Sequence, residues 1–139
     1  WDAFLGGRAY IAGRSGTLST DEVSELAVFR DEALAAWEET IAATVVHYIN
    51  DMSTDLEGEL TGDGFANTAK HFSEMKGFAL ALQFNRLSPL TEPEFVELHE
   101  LPGDAPDLVD PAGYGDDLLA ARALLGTAYG FDAGNLVAW

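Results

Sequence analysis

Apolar side chains recur at steps of three and four along the first half of the chain. Leu26, Ala27, Leu34, Trp37, Ile41, Val45, Tyr48 and Ile49 follow this spacing, which places them on one face of an α-helix. Ser19 with Glu22 three residues on forms a capping-box pattern, and Asp21 adds an acid to the first turn. Neither Pro nor Gly interrupts the run until Gly58. The pattern predicts a helix over about 21–52, roughly 48 Å long at 1.5 Å per residue. A stripe of that length needs apolar neighbours throughout, which implies a bundle.

A second helix is expected over about 65–86, ending before Ser88-Pro89. Thr91 and Glu94 repeat the capping-box pattern around Pro93 and open a short helix over about 92–100. Residues 101–115 read as a loop rich in Pro, Gly and Asp. Asp116 and Asp117 suit the start of a last helix over about 116–129, with Gly130 placed to cap it. Trp1 to Leu5 reads as the tail of a helix begun upstream, and Gly6, Gly7, Gly13 and Gly16 as a connecting loop. No Gly-Lys-Ser/Thr follows them, so this is no phosphate loop. The acidic stretch from Asp51 to Asp63 reads as a second loop. No sustained period-two alternation occurs. The expected fold class is all-α, a helical bundle with residues 1–139 in one domain.

Charge narrows the partners. The chain carries 24 acidic and 7 basic residues, a formal net charge of −17. That disfavours nucleic acid, which is held through phosphate neutralisation, and adsorption to anionic lipid. It permits cation binding. Hydrophobic residues make up 47% of the sequence, ample for a core, yet no apolar run approaches the ~20 residues of a membrane span. Cysteine is absent, which removes disulfides, thiolate metal sites and a cysteine nucleophile. Because Trp1 opens the sequence in an apolar segment, the chain reads as a processed or excised piece. It is expected to bury an interface against the upstream half of the same protein or another chain.

Histidine is confined to His47, His71 and His99. His71 and Glu74 lie three apart in the second predicted helix and share a face with Asn67, Phe78 and Asn85. An imidazole and a carboxylate at this spacing can ligate one cation, as in bundle-core metal sites. The pair suits iron, zinc or manganese better than copper(I). Two ligands do not complete a site, and Glu38, Glu39, His47 and Asp51 on the first long helix are the available donors. The plain alternative is a structural histidine with Glu74 paired to Lys70. Asp51, Ser53, Asp55, Glu57 and Glu59 alternate like early calcium-loop ligands, but Leu56 and Gly62 stand where that loop needs Gly and Glu. These, with Asp104, Asp107 and Asp110, read as solvated acidic loops. Trp37, Phe72, Phe78, Phe84 and Tyr129 are expected in the core. No His-Glu-x-x-His zinc signature or Gly-x-Ser-x-Gly elbow is present.

The stretch Ala69-Lys70-His71-Phe72-Ser73-Glu74 resembles the Gly-x-His-x-x-Glu motif of the imelysin-like family, with Ala69 in place of the Gly. Further matching pieces are Trp1 to Phe4, His47 to Asn50, Glu74 to Asn85, Ala121-Arg122, Ala128 to Phe131 and Asn135 to Trp139. The chain resembles the C-terminal portion of an uncharacterised bacterial branch of that family. The resemblance implies half of a double-bundle architecture and a location in the bacterial cell envelope, in the periplasm or lipid-anchored at the outer membrane. It also implies binding of a metal ion, iron or zinc, or of a metal-bearing ligand, as in iron uptake, with His71 and Glu74 as metal ligands. Two alternatives stand beside it: a non-catalytic interaction or scaffold module without metal, and a metal-dependent peptidase acting through a metal-bound water.

Overall fold

The computed structural model describes residues 1–58 and 60–139. Glu59, one of the alternating acidic positions, lies outside the described residues. Six α-helices and one 3₁₀ turn account for the regular structure, with no strand among the described residues. They are α1 (Asp2–Ala12), α2 (Thr20–Leu56), α3 (Gly62–Ala81), the 3₁₀ turn Leu82–Phe84, α4 (Glu92–Glu100), α5 (Pro111–Tyr129) and α6 (Ala133–Ala138). The fold is all-α. No helix among the described residues is long and apolar enough to cross a membrane. The chain divides into two compact units, Trp1–Glu38 and Glu39–Trp139, with the boundary inside α2.

The first unit pairs α1 with the beginning of α2. Gly6 and Gly7 are helical here, not part of a loop, and the helix runs on to Ala12. Each glycine costs about 1 kcal/mol of helix propensity relative to Ala. Their use is close approach: a Cβ on Gly6 would sit 2.7 Å from Phe29 Cε1, and one on Gly7 3.2 Å from Phe29 Cβ. Polar contacts pin the pair. Tyr10 Oη donates to Glu25 at 2.7 Å, Arg14 Nε donates to Glu22 at 2.9 Å, and the Arg14 guanidinium lies over the Tyr10 ring. The capping box at the start of α2 is complete, with Ser19 N–H donating to Glu22 Oε2 at 2.8 Å and Glu22 N–H to Ser19 Oγ at 3.3 Å.

The second unit holds the core. Ala42, Val45, Val46, Ile49 and Met52 of α2 pack with Met75 and Ala79 of α3, Leu82, Leu98 of α4, and Tyr114, Leu118, Ala121 and Leu125 of α5. Helix α2 continues four residues past the expected Met52, through the stretch read as a loop, because Leu56 still packs against this core. Helix α3 starts at Gly62 rather than Phe65, with Thr61 as its N-cap. Helix α5 starts at Pro111 rather than Asp116: Pro has the right φ for a first helical position, and the Asp110 side chain accepts from Gly113 N–H. Thr91 and Glu94 form the expected capping box of α4, and Gly130 ends α5 in the left-handed region at φ 65°. Three aromatic expectations fail. Trp37 is 73%, Phe84 79% and Phe78 39% exposed, and none of them belongs to the core.

Helix α6, absent from the sequence reading, is held from a distance. Asn50 Nδ2 donates to the carbonyls of Leu136 at 3.0 Å and Trp139 at 2.7 Å, while Arg122 donates to Asn50 Oδ1 at 2.5 Å. Gly126 leaves room for Leu136, and the Trp139 ring meets Phe131 edge-on at 4.9 Å.

Candidate functional site

Extension of α2 to Leu56 puts His47, Asp51 and Asp55 at successive four-residue steps, one above another on a single helix face. His71 of α3 faces this column. Its Nδ1–H donates to Asp55 Oδ2 at 2.7 Å, and its Nε2 lies 3.9 Å from Asp51 Oδ2. The same Asp51 oxygen is 3.4 Å from His47 Nε2. Because a carboxylate only accepts, Asp55 fixes the hydrogen on Nδ1 and leaves Nε2 of neutral His71 with its lone pair available.

Aromatic side chains fix the position of the imidazole. The Tyr48 ring stacks on Phe78 at 5.8 Å and tilts against His71 at 6.1 Å and His47 at 5.1 Å. The His71 and Asp55 side chains are mostly buried, at 18% and 17% exposed, whereas His47 at 51% opens to solvent. The result is a sheltered imidazole–carboxylate pair with a wetter His47–Asp51 pair beside it.

Glu74 sits one turn beyond His71 on α3. The Lys70 ammonium lies 3.8 Å from its Oε2. That oxygen is buried and accepts no hydrogen bond among the described residues. Burial of a carboxylate oxygen with so loose a counter-charge is costly, and a cation is one means of satisfying it. Among the described residues, no three His, Cys, Asp or Glu side chains already stand as a metal-holding group. Imidazole and carboxylate are donor types that suit such a cation, but no closed coordination shell stands among the described residues.

The other expected donors are placed elsewhere. Glu38 is buried and belongs to the first unit, while Glu39 is exposed. His99 on α4 stacks with Phe95 at 4.6 Å, and its carbonyl accepts from Lys76 Nζ at 3.0 Å. Burial, reinforced by the Lys76 charge, holds the His99 imidazole below its ordinary pKa, against the pull of a hydrogen bond at Ala79. Burial likewise lowers the Lys76 ammonium, with Asp104 opposing. Asp107 and Asp110 serve as local caps, accepting backbone N–H groups at Val109 and Gly113. Asp55 falls in the stretch that the sequence predicts as an acidic loop, so its pairing with His71 is not predicted. The His47-x₃-Asp51-x₃-Asp55 spacing was the available signal, and it has meaning only if the helix continues.

Comparison with protein-family models, with curated proteins and with solved structures finds no match to this chain.

Proposed function

We propose that this chain is a metal-binding helical module, with His71 and Glu74 as ligands of a divalent or ferric ion, iron or zinc by donor type. The observation that carries the reading is the Asp55–His71 contact at 2.7 Å. A ligating histidine commonly donates its second ring N–H to a carboxylate, which fixes the tautomer and raises ligand basicity. Asp51, facing the other ring nitrogen, is available as a further donor, and the upstream half of the protein or another chain would complete the shell. By resemblance alone, the parent protein is an imelysin-like protein of the bacterial cell envelope, periplasmic or lipid-anchored at the outer membrane.

Isothermal titration of metal-free protein with Fe²⁺ and Zn²⁺ tests this. The expectation is micromolar or tighter binding, lost in His71→Gln and in Glu74→Gln with helicity by circular dichroism retained. Asp55→Asn should weaken binding by about 10- to 100-fold, the usual effect of removing an outer carboxylate. Wild-type affinity in both ligand variants would end the assignment.

A second reading, an interaction module without metal, is favoured by the Lys70–Glu74 ion pair, which already gives Glu74 a counter-charge. It predicts that His71→Gln lowers stability, by about 1–3 kcal/mol for the unsatisfied Asp55, with no metal affinity to lose. A metal-dependent peptidase would show metal-restored cleavage of an unstructured substrate such as casein.

A further inference from the structure

The first unit carries a groove of about 710 Å³ between α1 and the start of α2. Phe4 and Ile11 of α1 and Leu34 and Trp37 of α2 line it, all of them exposed. Its polar contribution comes from Arg8 and Arg30. The lining runs from Ala3 to Ala12 on one helix and from Leu26 to Trp37 on the other, roughly 14 and 17 Å at 1.5 Å per residue. None of the residues that pin the two helices together through polar contacts, Tyr10, Arg14, Glu22 and Glu25, lines the groove. The walls are thus fixed independently of whatever fills the space.

We propose that this groove receives an amphipathic α-helix of about three turns whose apolar stripe is flanked by carboxylates. Two helical walls with an apolar trough match helix-in-groove recognition, in which a third helix completes the packing. Charge selects its flanks. In a chain with 24 acidic and 7 basic residues, the charged side chains lining this groove are both arginines and none is acidic. Arg30 already pairs with Asp31 at 2.7 Å, whereas Arg8 makes no ion pair among the described residues. The same face of a second copy would set arginine against arginine, which disfavours it as the occupant. The docking surface lies wholly within Trp1–Glu38 and does not depend on the metal reading.

The probes are two fluorescein-labelled helical peptides with one leucine stripe at i, i+3, i+4 and i+7, flanked by Glu in one and by Gln in the other. Fluorescence anisotropy should show the Glu peptide binding the full chain about two- to fivefold tighter, the range for one new exposed ion pair at Arg8. Overall negative charge works against that order, so it reports local contact. Arg8→Ala with Arg30→Ala should abolish the preference while leaving the Gln peptide bound. Trp37→Glu should abolish both, with helicity by circular dichroism unchanged because Trp37 is exposed. Leu34→Glu is the parallel variant. Equal or weaker binding of the Glu peptide by the unmodified protein overturns the proposal, as does failure of both peptides at millimolar concentration. Sedimentation equilibrium showing a dimer lost in Trp37→Glu would assign the groove to a second copy. Saturable dodecanoate binding lost in Trp37→Glu, with no peptide bound, would assign it to an acyl chain. Either result overturns the helix.

Discussion

Asn50 offers the sharpest test of what holds the second unit together. Its amide donates to two carbonyls of the closing segment, at Leu136 and Trp139, and accepts from Arg122. These contacts span 86, 89 and 72 residues of sequence, so they join α2 to α6 and α5 directly. Asn50→Ala removes all of them. Two neutral bonds are worth about 0.5–1.5 kcal/mol each, and a bond to a charged donor more, though half-buried Arg122 recovers part of its loss from water. The expected destabilisation is about 2–4 kcal/mol. Asn50→Asp separates size from donor chemistry. It keeps the volume and the Arg122 bond but points carboxylate oxygens at two carbonyls, and it should be destabilised about as much as the Ala variant. Urea denaturation followed by circular dichroism gives the magnitude, and amide hydrogen exchange over 133–139 gives the location. Stability within ~0.5 kcal/mol of the parent, the scatter of ordinary surface changes, with protection of 133–139 intact, would refute the tether.

Three further expectations concern other parts of the fold. Gly6→Ala should destabilise the first unit by about 1–2 kcal/mol despite the better helix propensity of Ala, because the new methyl meets the Phe29 ring edge; in a Phe29→Ala background the sign should reverse. Thr91→Ala should cost about 1 kcal/mol through loss of the α4 capping box, read by thermal melting. His99, whose pKa is lowered in the fold, is neutral there while the unfolded chain takes up a proton, so stability should fall as pH drops through about 6.5, its ordinary value. Melting temperatures at pH 7.5 and 5.5 check this: the drop should be smaller in His99→Gln, and an equal drop would show that another group is responsible.

Local chemistry determined much of this protein from its sequence. The three- and four-residue apolar spacing and the absence of period-two alternation specify helices, and both capping boxes, Ser19–Glu22 and Thr91–Glu94, form as written because their partners are three residues apart. Gly130 caps α5 for the same reason, since a left-handed residue is a local requirement. What tertiary structure decided involves partners far along the chain. Gly6 and Gly7 are helical because Phe29 closes on them, a contact invisible to propensity, which penalises glycine. Helix α2 reaches Leu56 because the core extends that far, and only then does Asp55 come level with His71 across 16 positions. Trp37 follows the helical period yet stands exposed, because periodicity marks a face and not what covers it. Helix α6 has a local cap at Asp132, but its place is set by Asn50 and Leu136 packing at Gly126. The His71–Glu74 spacing was legible as a shared face. The neighbours of that face, Asp51, Asp55 and Tyr48, depend on how α2 and α3 pack, which no run of adjacent residues encodes.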